Sequence, residues 1–447
     1  MGKREQAAGV PRSGLGTNAK LRTPPAVAAL GERLKAETEA FTAAAARLRR
    51  YALQRHISLL LKDFRRVNRN GEEVPYRVFG CMWEARQGCA EVVKTSRGAT
   101  FRGLQTCGSI WHCPVCAARI SNERRRDIKA AVDAAAALGY KALLLTLTAR
   151  HTARTSLPGQ LKAMTKAYEA MWRGAPAERI KARAGILGMI RSLEATHSRR
   201  NGWHPHIHVI IFVPEGCDVA ALGDALRSRW EHCAARHGLS MNEHGFDLID
   251  DTARVADYVA KYGHEPRWQS ADELARWHTK VGRGGRGQWE HFTPWQLAEF
   301  SMGGDEQAGA LFQEYALTFH GRRQIVWSDG LRDLLGLGEE ATDEEAAEKE
   351  MEEAAELLRV VLTAPQWEQV RRWKIDLETG EVLAEKKKWR DRRAELLEVV
   401  ERCADLAELA GEIARLFGFT PAIFVDQAER SDDQADDQAE GPDSSGA

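Results

Sequence analysis

Trp203-His204-Pro205-His206-Ile207-His208-Val209-Ile210-Ile211-Phe212 sets a His-x-His pair at the head of an apolar, β-branched run, the pattern of a buried strand. Successive side chains on a strand point to opposite faces, so residues i and i+2 share one. His206 and His208 therefore project two imidazoles from one face, close enough to hold a single divalent ion. The plainer reading is a pair of core histidines, but two neighbouring imidazoles in a core would each need a separate hydrogen-bond partner.

Upstream, Arg199-Arg200-Asn201-Gly202 reads as the turn of a hairpin. A register centred near Arg200 sets Glu194 directly opposite His206 on the same face, which makes Glu194 the third candidate ligand rather than a plain surface carboxylate. Two neutral imidazoles and a carboxylate suit Mg²⁺ or Mn²⁺ with positions left open for phosphate oxygens, although imidazole also suits later transition metals. Downstream, Asp257-Tyr258-Val259-Ala260-Lys261-Tyr262 sets two tyrosines at i and i+4, on one helix face. Such a pair alone would read as amphipathic packing; beside the histidine strand it reads as chemistry.

A tyrosine hydroxyl, with a pKa of about 10, is a poor nucleophile near neutral pH. Its attack on a phosphodiester needs the phosphate polarised and its charge offset by a cation. Lys261 either pairs with a phosphate or lowers a phenol pKa, or is a solvent-facing helix lysine. Paired tyrosines add a consequence: one can stay attached to a 5′ phosphate while the freed 3′ hydroxyl primes synthesis, and the other can cut the displaced strand at the end of a round.

The order of elements around these residues is informative. A strand through Ala142–Thr148 precedes a helix from about Leu157 to Arg173, strands at about Ile186–Thr196 and His204–Val213, a helix at about Val219–His237, a strand at Phe246–Ile249 and the tyrosine helix. This β-α-β-β-α-β-α succession is the split βαβ arrangement with one added helix. It predicts an α+β fold whose central antiparallel sheet carries helices on one face and leaves the other for substrate. Ser121 is read as the N-cap of a helix over Asn122–Leu138.

A chain of 447 residues has length for two or three domains. Its formal net charge is zero, but arginines crowd Arg47–Arg69 and Arg119–Lys129 while acidic residues crowd the region after Glu339. Segregation of this kind suggests a basic nucleic-acid face and an acidic appendage, or else ordinary solvated helix faces. No apolar run approaches the roughly 20 residues of a membrane span, and Met1-Gly-Lys-Arg-Glu lacks a signal-peptide core. The expectation is a cytoplasmic protein with no membrane partner, in which the eight cysteines are metal ligands or buried thiols rather than disulfides.

Cys107-Gly-Ser-Ile-Trp-His112-Cys113-Pro114-Val-Cys116 contains a Cys-Pro-x-Cys knuckle, a strong zinc signal. Cys107, Cys113 and Cys116 are three ligands, and Cys81, Cys89 or His112 is the fourth. Four protein ligands close a structural Zn²⁺ site without an open position. Cys217, Cys233 and Cys403 lack spacing partners and read as packing residues. The basic helix after the knuckle, with Arg119, Arg124, Arg125 and Arg126, is read as lying along duplex DNA as phosphate contacts. Val281–Trp289, rich in Gly and Arg, is either a DNA-backbone contact or a linker.

Over roughly residues 80–335 the chain resembles the HUH endonucleases, specifically the rolling-circle plasmid replication initiators of actinobacterial type. The family's strand ending Thr-Leu-Thr matches Thr146-Leu147-Thr148, followed here by Arg150 and His151; its His-Pro-His-x-His-Val motif matches His204–Val209, and its Lys-Tyr matches Lys261-Tyr262. The resemblance implies that Tyr262 is the primary nucleophile, that His206 and His208 hold the catalytic metal, and that His204 contacts DNA or supports the ligands. It also favours Cys81 as the fourth zinc ligand, because similar initiators usually carry a Cys before the variable segment. Many such initiators have a glutamate four residues before the nucleophile; Tyr258 stands there instead, as in phage replication proteins with paired tyrosines, which argues against termination by glutamate-activated water.

The implied function is a nicking and rejoining initiator that binds double- and single-stranded origin DNA and forms a 5′-phosphotyrosine link. No Gly-x-x-x-x-Gly-Lys-Ser/Thr loop is present, so a host helicase and a host DNA polymerase are the expected partners. Two rivals remain: a two-tyrosine HUH rolling-circle transposase, and a non-catalytic zinc-dependent DNA-binding repressor. The expected organisation is a disordered 1–25, a basic helical 26–74, a zinc-binding 75–130, an HUH nuclease domain at 131–335, a helical 336–425 and an acidic disordered tail at 426–447.

Overall fold

The computed structural model describes residues 47, 49–68, 70–95, 98–261, 291–349, 356–371 and 392–425. The two expected tails, Tyr262 and the Gly-rich loop at 281–289 lie outside the described residues, and of Lys261 only the backbone is described.

Helix α1 (residues 49–60) and the turn after it bury Leu53, Ile57 and Leu61, the spacing of four that turns one helix stripe toward a core. A small ribbon follows, β1 (Arg65–Val67) against β2 (Glu73–Pro75). Strands β3 (Cys89–Thr95) and β4 (Gly98–Arg102) then form a second hairpin. Helix α2 (Pro114–Ala137) begins eight residues earlier than the sequence suggested. Cys113 caps it, its sulfur accepting from the Cys116 N–H, and Pro114 fills the first turn, where no N–H is needed. Ser121 is thus a buried residue inside the helix rather than its cap.

The central unit runs β5 (Tyr140–Leu147), α3 (Leu157–Met171), α4 (Ala175–Ala184), β6 (Gly188–Ser198), β7 (Gly202–Pro214), α5 (Val219–Arg236), β8 (Phe246–Ile249) and α6 (Thr252–Lys261). Short α4 is the one helix here that the sequence reading lacked; Gly174, at φ 81°, breaks it from the preceding helix. Next come β9 (His291–Phe292), α7 (Pro294–Met302), α8 (Glu306–Phe319) and β10 (Ile325–Trp327). The sheet order is β10-β6-β7-β5-β8, antiparallel throughout, with β9 also pairing β6.

Strand parity divides the core. Leu143, Leu145, Leu147, Ile207, Val209 and Ile211 join the inward residues of α3 and α5 on one face. Leu144, Ile190, Ile210 and Phe212 meet Ile128, Ala131 and Ala135 of α2 and Val255 and Val259 of α6 on the other. The second face is therefore not left free, as the split βαβ pattern alone implied. Helices α2 and α6 cover its apolar half, and the polar half carries the histidines.

The remaining elements are α9 (Leu331–Leu334), α10 (Asp343–Lys349), β11 (Glu356–Thr363), α11 (Ala364–Arg371), α12 (Arg393–Arg402), α13 (Leu406–Phe417) and β12 (Ala422–Val425). This region is helical as expected, but it is not an appendage. β11 pairs with β3, so the order β12-β11-β3-β4 builds one sheet from both ends of the chain. Arg393, fully buried, fastens the junction. It donates to the Met82 carbonyl at 2.7 Å and to Gln54 Oε1 at 3.2 Å, and lies 4.5 Å from the Tyr51 ring centroid.

Charge-assisted hydrogen bonds and a desolvated cation–π contact are each worth a few kcal/mol. Arg393→Ala is expected to lower unfolding free energy by about 2–4 kcal/mol, read as a lower denaturation midpoint in urea. An unchanged midpoint would show that the two ends do not depend on this anchor.

Candidate metal and DNA-processing site

Hairpin β6–β7 closes through residues 199–201, and Gly202 takes φ 75°, which favours glycine. Its register pairs Glu194 with His206 and Ser192 with His208. All four lie on the polar half of the α2/α6 face, so Glu194, His206 and His208 come together as hairpin geometry predicts.

Distances define the group. Glu194 Oε2 lies 3.7 Å from His208 Nε2. The His206 and His208 rings are 5.9 Å apart and within 8° of parallel. The Tyr258 hydroxyl donates to Glu194 Oε1 at 3.4 Å, and its ring stands 5.0 Å from that of His208. Tyr258 is thus placed at the carboxylate by α6, next to the buried Val259 that with Val255 docks this helix on the sheet.

Thr146, opposite His208 on β5, was not singled out as a functional residue from the sequence. Its hydroxyl lies 3.1 Å from His208 Nδ1. With Nδ1 so engaged, Nε2 is the nitrogen left to face Glu194, the division of labour common in metal-ligating histidines. Strand parity was the available signal: Thr146 alternates with Leu145 and Leu147 and so shares a face with His208.

The start of β7 is held from the opposite face. Trp203 Nε1 donates to Glu314 Oε2 at 2.8 Å, and the ring stacks on Tyr315 with 6.0 Å between centroids. Glu314 also accepts from the Leu157 N–H at 3.3 Å, tying β7 to the N-terminus of α3. His204 contacts the His206 ring at 4.2 Å and the His151 ring at 4.5 Å.

The second cluster is tighter. The sulfurs of Cys81, Cys107, Cys113 and Cys116 all lie within 4.8 Å of one another, and all four residues are buried. Sulfur–sulfur separations of 3.5–3.6 Å suit a tetrahedral ion with Zn–S bonds of about 2.3 Å. Burial pushes the Cys107 thiol well above its usual range, whereas hydrogen bonds from the neighbouring sulfurs hold Cys116 well below it. The cluster could bind zinc. Cys81 completes it. Cys89 starts β3 outside the cluster, and His112 is spoken for: it contacts Ser109 Oγ at 2.9 Å and the Ala316 carbonyl at 2.8 Å, and burial brings its pKa down to about 4.

The basic helix requires a correction. Arg124 is only 6% exposed and pairs with Glu340 and Asp343, each at 3.0 Å. Arg119 donates to the Ala347 carbonyl and to Thr100 Oγ1. Arg124 thus binds the acidic segment of its own chain rather than presenting a face to DNA, and Arg119 is held between the backbone of that segment and β4. Arg125 contacts Asn122 and Arg126 contacts Glu123, both within the helix. Arg77–Glu344 and Arg86–Glu348 extend the same internal pairing. Among the described residues, no helix is long and apolar enough to cross a membrane.

Comparison with known proteins bears on this arrangement. Residues 100–217 match the family profile described as a replication protein. That segment holds three of the four cysteines, Glu194, His206 and His208, and ends before Tyr258. The chain is 30% identical to "Protein rep" of Streptomyces lividans over 73% of this chain and 85% of that protein. It is 31% identical to "Protein rep" of Streptococcus pneumoniae serotype 2 over 23% of this chain and 31% of that protein. It is also 37% identical to a neomycin resistance protein of Streptomyces cyanogenus over 27% of this chain and 33% of that protein. No solved structure matches the chain.

Cys81→Ser and Cys113→Ser are each expected to lose at least about tenfold in zinc affinity, measured by competition with a chromogenic chelator. Cys89→Ser is expected to bind zinc as the unaltered chain does. Equal affinity in all three variants would mean that the cluster holds no metal.

Proposed function

The chain belongs to the Rep family of replication proteins, and on that premise we propose that it initiates rolling-circle replication of a plasmid by nicking one strand of the origin. The observation that carries this reading is the convergence of Glu194, His206 and His208 on one sheet face, with the Tyr258 hydroxyl at the carboxylate. Two imidazoles and a carboxylate would hold Mg²⁺ or Mn²⁺, which when bound supplies charge to polarise the scissile phosphate.

The chain's own residues would do the rest. A tyrosine hydroxyl loses its proton and its oxygen forms a bond to phosphorus. The P–O3′ bond breaks, and the departing 3′ oxygen takes a proton to become the primer hydroxyl. The 5′ phosphate stays on the tyrosine until the reverse reaction rejoins the strand. Resemblance assigns the first cut to Tyr262 and the closing cut to Tyr258. A carboxylate beside the Tyr258 hydroxyl fits a proton acceptor for the attacking phenol. Thr146 would hold His208 in the tautomer that ligates through Nε2. The four-cysteine cluster would hold Zn²⁺ as a structural ion. Origin DNA is the proposed substrate, in double- and single-stranded form, with a host helicase and a host polymerase completing the round in the cytoplasm.

The test uses origin-region single strands labelled at the 3′ end, incubated with Mn²⁺ and separated on a denaturing gel. A covalent adduct is expected with the unaltered protein and not with His206→Ala or Tyr262→Phe, while Tyr258→Phe retains the first cut and loses strand transfer. An adduct lost in Tyr258→Phe but kept in Tyr262→Phe would reverse the two roles. Tight binding with no cleavage of any origin oligonucleotide would overturn the nuclease reading.

A further inference from the structure

The file of imidazoles does not end at the candidate metal ligands. From His208 it runs through His206 and His204 to His151, with centroid separations of 5.9, 4.2 and 4.5 Å. His151 lies in the loop after β5 and is half-buried. Its Nδ1 is 3.2 Å from the Ala149 carbonyl. A carbonyl can only accept, so in this contact Nδ1 donates, which orients the ring. His151 thus presents an oriented aromatic ring at the end of a row of imidazoles that starts at the candidate metal ligands.

Its surroundings are basic. Arg150 and Arg154 flank it in the same loop, and Arg199 stands in the β6–β7 turn; all three are exposed and pair with no acidic side chain among the described residues. The loop and the turn touch: a Cβ at Gly202 would come within 3.0 Å of Ala153 Cα and 3.2 Å of the Thr152 carbonyl. An aromatic ring inside a rim of exposed cations is the composition of a single-strand platform, where bases stack and phosphates meet charge.

We propose that His151 stacks a nucleobase next to the scissile phosphate, and that Arg150, Arg154 and Arg199 hold the flanking backbone. The proposal rests on the nicking function argued above and names the face by which the single strand enters. His151 is in this view a binding residue. It brings the strand to Glu194, His206 and His208 without taking part in bond making.

The test is a binding titration by fluorescence anisotropy with an origin-region single strand of about 12 nucleotides, alongside a series lacking one nucleobase at each position in turn. His151→Ala is expected to weaken binding of the intact strand by between about fivefold and a hundredfold. One abasic position should cause a similar loss in the unaltered protein and no further loss in His151→Ala. His151→Phe should retain most of that affinity, since the ring stacks on the base and the nitrogen only orients the ring. Alanine at Arg150 or Arg154 should lower the salt slope of binding by about 0.7 each.

Full affinity in His151→Ala, additive losses at every abasic position, or a His151→Phe variant as weak as alanine would each overturn the proposal. Mn²⁺-dependent adduct formation on the same strands separates the two failures. An adduct with unaltered His151→Ala binding sinks only the platform, whereas no adduct with any strand sinks the nuclease reading.

Discussion

The antiparallel register of β6 and β7 decides which side chains share a face, and the candidate site depends on it. With Glu194 opposite His206, the period of two sets Ser192 with His208 and Ile190 with Ile210. A slip of β6 by one residue would turn Glu194 to the opposite face and drive Ile190 out of its core beside Ile210. The same apolar pairs that stabilise the hairpin therefore fix the geometry of its polar end. Packing of Val255 and Val259 against Ile210 and Phe212 then brings Tyr258 to the carboxylate, so one set of hydrophobic contacts orders both halves of the site.

Helix α2 joins this face to the cysteine cluster. Its first turn supplies Cys113 as cap and Cys116 as a cluster member, and its second half covers Leu144 and Phe212. A metal held at the start of the helix would favour thiolates through the positive end of the helix dipole as well as through its own charge. The acidic segment around α10 neutralises the partly exposed Arg77 and Arg86 and the buried Arg124. The overall neutrality of the chain is thus in part an internal pairing rather than a basic domain carrying an acidic passenger.

Local features of the sequence were the legible ones. Glu194 could be found because a turn at Arg199–Gly202 and strand alternation together dictate a register, and both act within a dozen residues. Cys81 was less visible, since it lies 32 residues from Cys113 and only the fold brings the two sulfurs to 3.6 Å. Pairing of β11 with β3 was invisible for the same reason: nothing local marks Val360 as the partner of Val92. The reading of Arg124 failed because an arginine on an amphipathic helix looks solvated until its acidic partners arrive from more than 200 residues away. Composition shows how much charge a chain carries, whereas pairing is settled by tertiary contact.

The most direct measurement is Mn²⁺ binding followed by electron paramagnetic resonance on zinc-loaded protein, comparing the unaltered chain with Glu194→Ala, His206→Ala and His208→Ala. One Mn²⁺ per chain is predicted for the unaltered protein, with a large loss of affinity in each variant and no change in zinc content. Equal Mn²⁺ binding by all four proteins would contradict the assignment of this sheet face as a metal site.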